Sequence, residues 1–394
     1  MIRQTAAIFL DAYRELNSKR LFWVVLLISG LVVAAFAAVG IDEKGLTLLS
    51  WHFPSVFNTS LVPADLFYKW VFFGLGIKIW LTWAATILAL VSTAGIIPEF
   101  LASGAIELAL SKPIGRLRLF LTKYAAGLLF VTLQVAVFTA ASFLVIGLRG
   151  GTWEGRLFWA VPITVCMFSY VYCVCALLGV LTRSTIASLL LALLLWFGFF
   201  GVHTTETMLL VLRERSALRV EALEKRVAER EALSPAAAPA RAALPASTNE
   251  ATEEAGADGN GSFVAAAAAP PENRALTTDR ALLAEERQSS ASLRRWHGLF
   301  FALKTVLPKT AETTDLLQRT LMSREELDRL GAARRNDSID PMPDRRVRIS
   351  GRELARRVEA IHLGRPTSWV LGTSLAFEAA VLGLAAWRFC RRDF

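Results

Sequence analysis

Residues that carry covalent or metal chemistry are scarce: the 394-residue chain has four cysteines and four histidines. Cys166, Cys173 and Cys175 fall in one apolar run and Cys390 lies in a basic tail. None has a histidine at metal-ligand spacing, and Cys173 and Cys175 are too close for an ordinary disulfide within a helix. His52, His203, His297 and His362 are scattered, with no cysteine or acid cluster beside them. The chain also lacks a GxxxxGK(S/T) phosphate loop, an HExxH pair and a Ser/His/Asp set. No catalytic residue, metal or directly bound cofactor is therefore expected, and the chain is not expected to be an enzyme.

Apolar residues are abundant. They make up 54% of the chain, and the mean hydropathy is +0.44, above the usual range for a soluble domain. They gather in long runs. About 20 apolar residues suffice to cross a hydrocarbon core of about 30 Å. On that test six spans are predicted, at 21–40, 71–94, 124–148, 158–181, 184–202 and 368–387. Lys78 interrupts the second, but it stands near one end, where its stem reaches toward the headgroups. The expected fold is an all-α polytopic membrane protein.

The net charge of +9 needs no nucleic-acid partner, because Lys and Arg collect in cytoplasmic loops. Arg3, Arg14, Lys19 and Arg20 fall on one side of the six-span arrangement. So do Lys112, Arg116, Arg118 and Lys123, then Arg183, then Arg388, Arg391 and Arg392. Segments 41–70 and 149–156, on the other side, are nearly balanced. Both termini are therefore expected in the cytoplasm. Ile2, Ala6, Phe9, Tyr13 and Leu16 form one face of an amphipathic interfacial helix over 1–20. Ala35-Phe36-Ala37 imitates a cleavage site, but the apolar run is too long for a signal peptide and further spans follow. It reads as a retained first span.

Residues 206–365 then form an extracytoplasmic region. A charged helix is expected over 205–233, where Leu212, Val220, Leu223 and Val227 stand near heptad spacing. Either a short coiled-coil seam or a solvated helix fits that pattern. The stretch 234–275 has the composition of a disordered linker. The run 296–308 is too short to span and reads as an amphipathic helix on the outer surface. A short helix over 353–361 precedes the last span.

Between the second and third spans lies a segment bounded by Pro98, suited to a first helical position, and Pro113. It allows about four helical turns, with Glu99, Ser103 and Glu107 on one side and Leu101, Ala105 and Leu108 on another. The succession Glu99, Gly104, Ala105, Ile106, Glu107, Leu108, Leu110, Ser111, Lys112, Pro113, Arg116 and Lys123 resembles that of type-2 ABC transporter permeases. The resemblance implies a coupling helix at 98–112 that docks on a separate ATP-hydrolysing subunit, where ATP and Mg bind. It also implies a permease dimer, of like or related chains, in the inner membrane of a prokaryote. The closing Arg391-Arg392-Asp393 is similar to the family's end. Leu307-Pro308 is similar to a pre-span helix in permeases related to the multi-copper-enzyme-maturation group. The likeness covers 1–205 and 296–394, leaving 206–295 as an insertion.

Glu378 sits inside the sixth apolar run. An intramembrane carboxylate faces a bundle interior or wet cavity, so it either fixes helix packing or touches substrate or protons. Gly372, Ala376 and Ala380 form a small-residue stripe for close helix approach, at a dimer seam or an internal contact. Two other functions stay open at this point. One is a membrane scaffold or assembly factor using the outer region, and the other is a secondary transporter using Glu378 for protons.

Overall fold

The structure, a computed structural model, describes residues 20–42, 45–48, 51–54, 63–102, 115–233, 271–323, 325–326 and 349–391. Helix α1, Arg20–Ala38, carries no charge beyond Arg20. It ends two residues short of the expected limit, because Val39 and Gly40 enter an antiparallel sheet that the all-helical expectation did not include. Strands β1 (Val39–Asp42), β2 (Gly45–Leu48) and β3 (Trp51–Pro54) pair in sequence order, with Asp42 opposite Gly45 and Leu48 opposite Trp51. Gly45 has φ 137°, a backbone conformation that glycine adopts without a steric penalty.

The second apolar run is helical from Ala64 to Leu101. Helix α2 (Ala64–Val71) passes into a 14-residue π-helix, Phe72–Ala85, then α3 (Thr86–Thr93) and, after a turn, α4 (Ile96–Ala102). Within the widened stretch, Thr82 Oγ1 donates to the Ile77 carbonyl (2.8 Å) and Thr86 Oγ1 to the Leu81 carbonyl (2.7 Å). Lys78, half exposed, pairs with Asp315 at 3.1 Å, a partner that the sequence reading did not include.

Helix α5 (Arg116–Gly150) begins well before the expected span and stops at Gly151, whose φ of 71° makes a left-handed cap. A 3₁₀ turn, Gly155–Trp159, leads into α6 (Ala160–Thr182). Helix α7, Thr185–Leu233, is one unbroken element of 49 residues. The fifth span and the charged stretch after it are fused, since neither Gly nor Pro separates them between 202 and 233. Helix α8 (Pro271–Val306) absorbs both the end of the expected linker and most of the expected surface helix. Residues 234–270 and 1–19, sites of the linker and interfacial-helix expectations, lie outside the described residues. Helices α9 (Thr310–Leu321), α10 (Gly351–Gly364) and α11 (Thr367–Cys390) complete the chain.

Five helical stretches among the described residues are long and apolar enough to cross a membrane; α1 is a shorter apolar helix. Contacts divide the chain into two units. The first lies within Met1–Thr204, Ala302–Asp337 and Arg365–Phe394. Its centre is α6, where Tyr170, Tyr172 and Cys173 are fully buried. Tyr172 stacks on Tyr124 (4.9 Å) and Phe168 (5.4 Å). Gly127 on α5 makes room for the Tyr172 ring, which a Cβ there would strike. Gly127→Ala is therefore expected to cost about 1–3 kcal/mol through overpacking, read as a lower unfolding temperature in detergent.

The second unit lies within Thr205–Phe301 and Ser338–Gly364. Residues of α7 pair with progressively earlier residues of α8, which makes the two segments antiparallel. Ser216 donates to Glu286 (2.9 Å), Arg230 meets Asp279 (2.9 Å) and Arg280 meets Glu231. Leu223 packs with Leu283 between them. The seam read from the sequence thus has its partner in the same chain. Helix α10 joins the unit through Arg357, whose guanidinium takes both oxygens of Glu221 at 2.8 and 2.7 Å.

Candidate functional site

Helix α4 begins the expected coupling segment. Ile96, Ile97 and Leu101 are buried and Glu99 is exposed, so apolar and acidic residues take different sides. Pro98 is the third residue of α4 instead of the first. Proline fits anywhere in the first turn, where amides have no intrahelical acceptor. Its ring lies against Gly179 of α6. Ser103, Gly104, Ile106, Glu107, Leu110, Ser111, Lys112 and Pro113 lie outside the described residues. On the far side of that gap, Arg116 Nη1 donates to the Cys390 carbonyl at 3.1 Å, tying the start of α5 to the end of α11. Lys123 lies over the Phe100 ring at 5.4 Å, joining α5 to α4. The described ends of the segment are therefore anchored to the bundle.

Glu378 on α11 joins three helices. Tyr124 Oη of α5 donates to one carboxylate oxygen and Ser169 Oγ of α6 to the other, each at 2.9 Å. This favours the packing role. Glutamine preserves both contacts, one as acceptor and one as donor. Glu378→Gln should therefore change stability by less than about 1 kcal/mol. In Glu378→Leu, the Tyr124 hydroxyl turns to the Ser169 carbonyl (3.2 Å) and that of Ser169 to the Cys166 carbonyl (2.8 Å). The expected cost is then about 1–2 kcal/mol, measured by thermal unfolding. Gly372, Ala376 and Ala380 are exposed, and a Cβ at Gly372 would meet nothing within 4 Å. At Gly372 the stripe makes no internal contact.

A charged cluster that sequence reading missed surrounds α9. Glu312, 3% exposed, is reached by His203 Nδ1 and Arg365 Nη1, each at 3.3 or 3.2 Å, and by the Lys304 ammonium. Burial alone would raise the carboxyl's pKa; His203 and Lys304 overcome it and hold the group well below the usual range. Lys309, 1% exposed, donates to the carbonyls of Thr305 (3.0 Å) and Leu307 (3.3 Å) and to Thr373 Oγ1, and lies 4.5 Å from the Trp369 ring centre. Its backbone amide donates to Ser374 Oγ at 3.0 Å. Lys69 bridges Glu154 and Glu326, both at 3.2 Å. These contacts fasten α9 and its flanks to α2 and α11. They join residues from two to 257 positions apart, and Lys78 in an apolar run was a local sign of an acid elsewhere.

Burial first, and then the Lys304 and Arg365 cations, pull the Lys309 pKa down from 10.5 to about 8 against the opposing pull of Glu312. Between those values the folded chain has shed a proton that the unfolded chain retains. Stability therefore rises with pH from about 8 to about 10.5 through this group. Other groups titrate in the same window, so the measure is the difference between wild type and Lys309→Met in unfolding temperature at both ends. The rise should be smaller in the variant.

No protein-family model, curated protein or solved structure matches the chain.

Proposed function

We propose that the chain is the membrane-spanning subunit of an ABC transporter, working as a dimer with a separate cytoplasmic ATPase. The reading is carried by the segment between the second and third apolar helices. There α4 turns an apolar side to the bundle and Glu99 outward, and the following residues resemble a type-2 permease coupling helix. On this reading α1 and the five longer helices make six spans, with both termini in the cytoplasm of a prokaryotic cell. ATP and Mg bind the partner.

The mechanism is mechanical. Closure of the ATPase dimer displaces the segment that begins at α4. Pro98 rests on α6 at Gly179, and α6 is joined to α11 through Ser169 and Glu378. A push on α4 therefore reaches two further helices through packed contacts and biases the bundle between alternative packings. A proton-carrying role for Glu378 has less support, because both its oxygens already accept protein hydrogen bonds.

The test is co-purification of the chain from native membranes in mild detergent and in nanodiscs. An ATP-hydrolysing subunit should accompany it. Its absence under both conditions would remove the coupling assignment.

A further inference from the structure

We infer that the first unit contains a buried water site where four helical segments meet. The cavity is about 10 Å³, close to the space one water molecule occupies as a probe sphere. Ser29 of α1, Gln134 of α5, Thr164 and Phe168 of α6, and Thr86 of α3 are among its lining residues. Gln134 and Thr164 are 7% and 3% exposed, and neither Gln134 Nε2 nor Thr164 Oγ1 has a hydrogen-bond partner.

The chemistry selects the occupant. A buried amide and hydroxyl left unpaired cost about 1–3 kcal/mol each, and the surrounding bundle offers no bulk water to relieve them. Thr86 Oγ1 donates to the Leu81 carbonyl, and no hydrogen bond joins Thr86 to Gln134 Nε2 or Thr164 Oγ1. An apolar guest would leave both groups unsatisfied. An ion would find no charged residue in the lining, and a charge in such a place needs a counter-charge. Water accepts from Gln134 Nε2 and exchanges a hydrogen bond with Thr164 Oγ1, with Ser29 at hand as a further polar neighbour.

One wall is formed by Leu81 and Ala85, at the end of the π-helix. Helices that meet through water are held by a contact nearly as favourable as a direct hydrogen bond, yet one whose partners can be exchanged. This site is independent of the coupling assignment.

Radiolytic hydroxyl labelling of the nanodisc-reconstituted chain tests it, with water itself as the probe. Phe168 is fully buried but lines the cavity, whereas Phe72 and Phe120, at 1% and 2% exposure, do not line it. Phe168 should be labelled several-fold more than either control. That excess should disappear in Gln134→Leu/Thr164→Val, and fall in Thr164→Val if the double variant does not fold. Wild-type labelling of Phe168 no higher than the controls would overturn the site. So would an excess that persists in a folded double variant. A dry void would show a third signature: no labelling, and a Gln134→Leu variant that melts higher because leucine fills the space.

Discussion

Replacing Glu312 with alanine is expected to destabilise the folded chain by about 3–5 kcal/mol, the range for removing one partner of a buried ion pair. The carboxylate is 3% exposed, and Lys304 and Arg365 beside it are 3% and 8% exposed. Without it those cations stay desolvated near Lys309, which burial first, and then the same two cations, already pull below its ordinary range. Glu312→Gln should recover only part of the loss, because the amide restores shape and hydrogen bonds but no charge. Adding Lys304→Met to Glu312→Ala should restore more, since it removes one of the stranded cations. Unfolding followed by tryptophan fluorescence in detergent measures all three. A loss below about 1 kcal/mol for the alanine variant would mean that water reaches the cluster and screens it. The pH arm follows from the same carboxyl. Its stabilisation is present above the ordinary carboxylate pKa and is lost as pH falls through the lowered one.

Replacing Glu99 and Glu107 together with alanine is expected to abolish co-purification of the ATPase while leaving membrane insertion and stability unchanged. Truncating one member of a desolvated charge pair at an interface costs about 2–5 kcal/mol. Two such losses weaken binding by roughly a thousandfold or more, at about 1.4 kcal/mol per tenfold. Glu99 is exposed on α4, and its neighbours Ile96, Ile97 and Leu101 hold the helix to the bundle. The Glu99 carboxylate is exposed and folds back over Gly95, so the substitution leaves the apolar contacts of Ile96, Ile97 and Leu101 in place. An ATPase that still accompanies the double variant at wild-type yield would show that these carboxylates are not the docking contacts. A lower unfolding temperature would instead assign Glu99 to the fold.

The two results draw on different kinds of information. The expected acidic side, Glu99, Ser103 and Glu107, is read from residues four apart sharing a helix face; of the three only Glu99 is among the described residues, where it is exposed. Helix positions were legible for a similar reason. A run of about 20 apolar residues carries its own solvation preference, so α11 was predicted at 368–387 and observed as Thr367–Cys390. Boundaries set by neighbours were less legible. The first helix ends early because β1 captures Val39 and Gly40, and β1 depends on hydrogen bonds from β2. The fifth runs on as the charged half of α7, and that half pairs along α8, beyond the segment 234–270 in the sequence.

By itself, the sequence determined that the chain is mostly helical and that several helices are apolar enough to cross a membrane. Each depends on residues within one helix or one loop. Only the tertiary structure decided that Glu378 is held by Tyr124 and Ser169, that Lys78 meets Asp315, and that Glu312 gathers His203, Lys304 and Arg365. Buried polar groups must find partners wherever the fold supplies them. Lys304 apart, those partners stand 53 to 254 residues away, beyond the reach of any helical period.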